Sequence, residues 1–149
     1  MLSAAITTAG HGEKTMRVVT PTTAKAARGR QNHLAGLLAE EGVERLYRRD
    51  GASILARRRR IGGGELDLVA KEGDILVFVE VKKRGRRVVD DPIRPQQWRR
   101  LEQAASQFMI EHTNETGRAC RARFDVVLVD GTAQPTVIKN ARGFEQDDQ

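Results

Sequence analysis

Apolar residues recur along the chain with two different periods, and these periods predict a helix, three strands, a second helix and two more strands. A helical stripe runs from about residue 30 to residue 50, and another runs from Pro95 to about residue 117. Alternation with a period of two predicts strands over 52–56, on each side of a turn at 71–74, and over 121–129 and 136–139. This order is typical of an α/β fold: a mixed β-sheet of about five strands flanked by two main helices.

Acidic residues interrupt the central predicted hairpin, residues 62–84, where apolar residues are expected. Pairing of Lys71 with Asp74 would place Asp67 opposite Phe78. Side chains alternate across a strand, so one face then carries Glu65, Asp67, Glu80 and Lys82. The opposite face carries Leu66, Leu68, Val77, Val79 and Val81. A loop with an odd number of residues would break this arrangement.

Carboxylates that converge in this way repel one another unless a cation lies between them. Asp67, Glu80 and Glu65, together with the carbonyl of Val81, offer the oxygen ligands that Mg²⁺ prefers. Lys82 could orient a water or stabilise developing charge. The alternative is a cross-strand ion-pair ladder of Glu65 or Glu80 with Lys82 on an exposed face. Apolar neighbours on the same face argue for burial and weaken that alternative.

Charge favours a polyanionic partner. The chain has 26 Lys and Arg against 20 Asp and Glu, a net charge of +6 and a pI near 10.1, which fits nucleic acid or another anionic surface. Four consecutive arginines, residues 57–60, form the densest basic run. Alternate residues of an extended run point to opposite sides, so at most half of it is expected to meet one phosphate backbone.

The remaining composition narrows the class of protein. A single cysteine, Cys120, excludes an intramolecular disulfide and a cysteine-based zinc site. No apolar run approaches the ~20 residues of a membrane span, and the first residues lack the basic region of a signal peptide. We therefore expect a cytoplasmic protein without a membrane segment. We predict a disordered N-terminal tail over 1–28, one domain over 29–144 and an acidic tail over 145–149.

The hairpin motifs resemble a known superfamily. The segment GELDLVA, residues 64–70, followed by VFVEVKKR, residues 77–84, is similar to the PD-(D/E)XK, restriction-endonuclease-like nucleases. The likeness is closer to the YraN-like family of predicted endonucleases, which are related to Holliday junction resolvases. It extends from about residue 30 to residue 144 and includes GASILAR at 51–57, RFDVV at 123–127 and IKNA at 138–141.

The resemblance implies roles for individual residues. Asp67 and Glu80 match the expected metal ligands, and Lys82 matches the catalytic lysine. Glu40 matches a glutamate of the first helix, and we count it among the metal ligands. Gln97 or Gln96 matches a residue of the second helix that supports the site, and of the two we assign Gln97 to the catalytic group. The segment around Glu40 departs from the family pattern, as does Gln96, where a lysine is common.

The resemblance implies a Mg²⁺- or Mn²⁺-dependent endonuclease that hydrolyses phosphodiester bonds in DNA, with branched or repair intermediates as candidate substrates. Two alternatives stay open: a non-catalytic nucleic-acid-binding protein on a nuclease fold, and a nuclease directed at RNA. Because resolvases cut two strands, a homodimer is also a candidate, and the sequence does not decide it. Four other residues, namely His33, His112, Trp98 and Asp125, are expected to be structural, the last by pairing with a neighbouring arginine.

Overall fold

The computed structural model describes residues 21–83, 93–131 and 134–143. Two helices and five strands follow one another in the predicted order. They are α1 (Pro21–Arg49), β1 (Ser53–Ile61), β2 (Gly64–Glu72), β3 (Ile75–Lys83), α2 (Pro95–Thr116), β4 (Arg121–Val129) and β5 (Thr136–Gly143). The predicted acidic tail over 145–149 lies outside the described residues. Neither helix in this described part is long and apolar enough to cross a membrane.

The five strands form one mixed sheet in the order β1-β2-β3-β4-β5. Neighbouring strands are antiparallel except β3 and β4, which are parallel. Parallel neighbours need a crossover, and α2 lies between β3 and β4 in the chain. This arrangement confirms the predicted α/β fold with a five-stranded mixed sheet and two helices.

Each helix covers one face of the sheet. The core beneath α2 includes Leu76, Phe78, Trp98, Leu101, Phe124 and Val126. The core beneath α1 includes Val43, Tyr47, Leu68, Val77, Val79 and Val127. Trp98, which we predicted to be structural, is 5% exposed and packs edge-on against Phe124. Strand β3 contributes to both cores, so Glu80 and Lys82 lie on the most buried strand of the hairpin.

Helix α1 begins earlier than predicted. It starts at Pro21, so residues 21–28, which we assigned to a disordered tail, are helical. Proline suits the first turn of a helix, and the three alanines at 24, 26 and 27 have the highest helix propensity. Strands β1 and β5 also run farther than predicted, to Ile61 and Gly143.

The register of the β2–β3 hairpin corrects our prediction. Lys71 pairs with Leu76 rather than Asp74, and the turn consists of Gly73 and Asp74. Gly73 has a φ of 59°, at the first central position, where glycine is favoured in a two-residue type II′ turn. The loop is still even, and this register, continued by one pair beyond Leu68 and Val79, places Asp67 opposite Glu80.

One apolar residue of the hairpin lies on the side that we did not predict. Leu66 packs in the core beneath α2, whereas Leu68, Val77 and Val79 pack beneath α1 as expected. The pairing of β2 with β3 ends at Leu68, so at Leu66 only β1, through Arg59, still pairs with β2.

The fully buried carboxylate of Asp125, on β4, connects α1 to β5. Asp125 accepts hydrogen bonds from the Tyr47 hydroxyl at 2.6 Å and from the backbone N–H of Asn140 at 3.0 Å. It also pairs with Arg123 at 2.9 Å, as we predicted for a structural residue. Asn140 has a φ of 52° at the irregularity between β4 and β5, so the carboxylate holds a strained backbone in place.

Candidate functional site

The candidate site lies next to Leu68 and Val79, where the hydrogen-bonded pairing of β2 with β3 ends. Beyond Leu68 no backbone pairing between these strands is recorded, and the N–H of Val81 donates instead to Oδ2 of Asp67 at 2.9 Å. The Asp67 side chain thus takes the place of a strand carbonyl. Because a residue in an extended strand directs its N–H and C=O to the same edge of the strand, we expect the Val81 carbonyl to face the same opening.

Two carboxyl groups meet in this opening. Asp67 and Glu80 share a side-chain hydrogen bond, and Glu80 is only 7% exposed. Burial, and after it the charge of Asp67, raises the pKa of Glu80 to about 8. Burial also raises the pKa of Asp67. Without a cation between them, such a pair retains a proton near neutral pH.

Helix α2 supplies a polar side chain that bridges the acid and the amine of the site. The Gln97 amide donates to Oε1 of Glu80 at 2.9 Å, and its carbonyl oxygen accepts from Nζ of Lys82 at 3.2 Å. Lys82 lies 3.4 Å from the same Glu80 oxygen. The three side chains form a closed triangle in which each orients the other two.

Helix α1 approaches the same opening from the other side of the sheet. Burial, followed by the charge of Asp67, raises the pKa of Glu40, so its carboxyl group lies within electrostatic reach of the site. Arg58 contacts Glu40 at 3.5 Å and Glu65 at 3.8 Å. Arg58 has a φ of 45°, which breaks strand alternation, and it therefore points to α1 like its neighbour Arg57, which pairs with Glu44.

An open cleft of about 870 Å³ gives access to the carboxylates. Glu65, Asp67 and Glu80 lie in it, and the N-terminal part of α2 forms the opposite wall. The lining residues from that wall are Arg94, Gln96, Gln97, Arg100 and Leu101. The turn at Gly62–Gly64 closes one end, because a Cβ at Gly64 would lie 2.8 Å from the backbone oxygen of Arg100.

This segment of the chain matches a described protein family. The profile of the uncharacterised protein family UPF0102 matches residues 39–129, more than half of the chain. The chain belongs to the UPF0102 family. The matched segment contains Glu40, Asp67, Glu80, Lys82 and Gln97.

The similarity between this UPF0102 chain and its relatives covers most of the length of each relative. A UPF0102 protein of Ruegeria pomeroyi is 44% identical over 121 residues, which cover 80% of this chain and 97% of the relative. A UPF0102 protein of Cereibacter sphaeroides is 39% identical over 114 residues, covering 76% and 96%. One of Azorhizobium caulinodans is 38% identical over 117 residues, covering 76% and 88%. Their names state no activity, so the function of the UPF0102 chain has to be argued from its site.

The donor set of the UPF0102 site fits a hard divalent cation held mainly by two carboxylates. Within the described segments, no three His, Cys, Asp or Glu side chains form a ready metal cage. Mg²⁺ does not require one, because it keeps several waters and commonly takes one or two protein carboxylates. Asp67 and Glu80, with the Val81 carbonyl, offer such a set. Glu65 and Glu40 stand beside it and are engaged by arginines.

The structure brings together the residues that the sequence singled out. Asp67, Glu80, Lys82 and Gln97 form one hydrogen-bonded group, and Glu65 lines the same cleft. Sequence reasoning missed Arg94 and Arg100 as cleft residues. A signal was available for the second, since Arg100 follows Gln97 by three positions and residues so spaced share a helix face.

Proposed function

We propose that this chain is a divalent-metal-dependent endonuclease that hydrolyses phosphodiester bonds in DNA. The observation that carries the proposal is the buried pair Asp67–Glu80, joined to Lys82 through Gln97, at the floor of an open cleft with arginines on its rim. A purely structural ion pair does not need a second buried carboxyl group beside it. Perturbed carboxyl groups in a cleft are typical of functional sites.

Asp67, Glu80 and the carbonyl of Val81 are the groups that would hold the ion. When bound, Mg²⁺ or Mn²⁺ would neutralise phosphate charge and lower the pKa of a coordinated water. Glu65 and Glu40 lie at the edge of this set and would be available as additional carboxylate ligands. The hydrogen bond from Val81 N–H fixes the Asp67 carboxylate, so that one ligand is preorganised by the strand itself.

Lys82 and Gln97 act on the reacting groups in this proposal. The Lys82 ammonium, whose side chain is 29% exposed, contacts Glu80 and Gln97, which line the cleft, and can hold the attacking water or stabilise charge that develops on the phosphate. Gln97 is a positioning residue, because its two hydrogen bonds set the direction of both Glu80 and Lys82.

One feature favours a second candidate, a nucleic-acid-binding protein without catalysis. Glu80 and Lys82 already satisfy one another at 3.4 Å, as in an ordinary buried ion pair. The two candidates differ in their dependence on metal. A binding protein holds nucleic acid equally well with chelator, whereas the nuclease cleaves only with a divalent ion.

The test uses the full chain on supercoiled plasmid and on matched linear, nicked, flap and four-way DNA substrates, each also prepared as RNA where possible. Reactions contain Mg²⁺, Mn²⁺ or excess chelator. We expect cleavage with either ion and none with chelator. Asp67→Asn and Glu80→Gln should each lower the rate by more than about a hundredfold, since even the partners of metal ligands are worth 10- to 100-fold.

Binding of the same substrates by each variant separates lost chemistry from lost folding. Asp67→Asn should bind DNA about as well as the parent chain in chelator. Cleavage at parental rates by either variant, or cleavage in excess chelator, contradicts the proposal. Binding without cleavage of any substrate supports the second candidate, and cleavage of RNA alone supports an RNA-directed nuclease.

A further inference from the structure

The arginines of β1 and those at the start of α2 differ in whether they form ion pairs with carboxylates of the chain. Each arginine of the β1 run has a carboxylate partner within the described residues. The pairs are Arg57 with Glu44, Arg58 with Glu40 and Glu65, Arg59 with Glu111, and Arg60 with Glu65. The densest basic run of the sequence is therefore paired within the chain, and only Arg60, whose side chain is 87% exposed, also lines the cleft.

The arginines at the start of α2 have no such partners. Arg94, Arg99 and Arg100 are exposed, and across residues 21–83, 93–131 and 134–143 none of them forms an ion pair. Their charges are available to an external anion. An arginine that is already engaged has to give up a carboxylate before it can hold a phosphate.

The free arginines lie along one continuous path. Arg94 and Arg100 line the cleft of the carboxylate site. Arg99 lines a shallower groove of about 640 Å³ on the outer side of α2, together with Gln103 and Gln107. The two depressions adjoin at the glycine turn, since Gly63 lines the first and Gly62 the second.

The N-terminus of α2 adds to the positive potential of this path. Arg94 is the residue before the first helical turn and makes no side-chain cap, and Gln96 and Gln97 of that turn line the cleft. The helix macrodipole favours an anion at such a position. Glu102, the carboxylate in the shallower groove, is paired with Arg142 at 2.7 Å.

We propose that the phosphate backbone of a nucleic acid binds along the N-terminal half of α2, held by Arg94 and Arg100 in the cleft and continuing to Arg99, and that Arg57, Arg58 and Arg59 of β1 hold the helices to the sheet instead. This inference rests on the proposed function for its partner. It assigns nucleic-acid binding to particular residues. The inference does not depend on whether the bound strand is cleaved.

The experiment measures binding of a short fluorescent DNA duplex by the full chain in excess chelator, over a range of roughly 50 to 200 mM salt. Three double variants each remove two positive charges. R94Q/R100Q removes cleft arginines, R57Q/R59Q removes paired β1 arginines, and R45Q/R118Q removes exposed arginines outside both grooves, which have no ion pair in the described segments. Glutamine keeps much of the side-chain length and can still hydrogen-bond to the partner carboxylates.

We expect R94Q/R100Q to weaken binding by about tenfold and to reduce the slope of log K against log salt by about two, because each lost phosphate contact removes about 0.9 from that slope. The other two variants should bind within about twofold of the parent. Circular dichroism checks that all three are folded. If R57Q/R59Q does not fold, the single variants R57Q and R59Q replace it, and each should bind within about twofold of the parent chain.

Three results overturn the inference: parental binding by R94Q/R100Q, an equal loss in either control variant, or no binding by the parent chain. Failure of the proposed function looks different. In that case DNA is bound in chelator with the expected pattern of variants, and no substrate is cleaved with Mg²⁺ or Mn²⁺. Cleavage with the wrong pattern of variants leaves the proposed function standing and removes this inference alone.

Discussion

The side-chain amide of Gln97 lies 2.9 Å from Oε1 of Glu80 and joins α2 to β3 inside the cleft. This contact links the two walls of the site. Gln97 also accepts a hydrogen bond from Lys82, so it determines the positions of an acid and an amine at once. Partners of this kind set how well a carboxylate can serve as a ligand.

Gln97→Ala is expected to lower the cleavage rate by about 10- to 100-fold and to raise the Mg²⁺ concentration needed for half-maximal rate. Loss of the amide frees Glu80 and Lys82 to close on one another. The matched control is Gln96→Ala, which removes a neighbouring exposed glutamine of the same cleft. Nicking rates over a Mg²⁺ titration measure both. Equal effects of the two variants would argue against a specific role for Gln97.

The proton that Glu80 retains makes stability depend on pH in the absence of divalent ions. Its pKa is about 8 in the folded chain, above the value of 4.5 for a free carboxyl group. The folded state therefore binds the proton more tightly, and the free energy of unfolding falls as pH rises from about 4.5 to about 8. Thermal melting in chelator across this range measures the decline. Glu80→Gln should flatten it, and a parental slope in that variant would contradict the assignment.

Metal affinity should show the opposite dependence. A cation needs the carboxylates in their charged form, so binding competes with the retained proton. We expect the apparent affinity for Mg²⁺ to rise with pH up to about 8 and then to level off. Calorimetric titration at several pH values measures this, with Asp67→Asn as the control that should bind weakly throughout. Affinity independent of pH would place the ion elsewhere.

Gly64→Ala should destabilise the fold by about 1 to 3 kcal/mol. The new Cβ would lie 2.8 Å from the backbone oxygen of Arg100, so the helix has to move away from the turn. Gly36→Ala is the matched control, because nothing lies within 4 Å of its Cβ and the residue is inside α1. That change should stabilise by about 1 kcal/mol. Urea unfolding compares the two, and an equal sign for both would contradict the close packing.

Asp125→Asn should lower the free energy of unfolding by about 2 to 4 kcal/mol. This range lies between the cost of losing a hydrogen bond to a charged group and the cost of breaking a buried ion pair. Asp125 is fully buried and accepts from Tyr47, Arg123 and Asn140. The same substitution at Asp74, whose ion pair with Arg121 is exposed, should change stability little. Denaturant titrations of both variants measure the difference, which disappears if the buried network contributes nothing.

The order of elements was predictable because each has a clear period. Strand β4 and helix α2 match the predicted bounds closely, since alternation at 121–129 and the left-handed Gly117 after α2 are local signals. The hairpin register was wrong by two positions, because the turn lies one residue farther along the chain than predicted. Gly73 could stand at either central position of a two-residue turn, and local sequence alone did not decide between them.

The grouping of the acids was predictable and the engagement of the arginines was not. Parity predicts Asp67, Glu80 and Lys82 on one face, and every even loop preserves that prediction. By contrast, Arg59 pairs with Glu111, which is 52 positions away in the chain, and Arg58 departs from strand alternation through its positive φ. Such ion pairs depend on how α1 and α2 pack against the sheet, and a local sequence pattern does not predict that packing.

Strand β1 lies at the edge of the sheet, with its outer backbone unpaired in the described part of the chain. An open edge invites another sheet to add a strand, and soluble proteins guard such edges with charge and irregularity. The run of arginines, the register shift between Ile54 and Ala56, and the positive φ of Arg58 all lie on this strand. The same residues that hold α1 and α2 against the sheet therefore protect the chain from aggregation at high concentration.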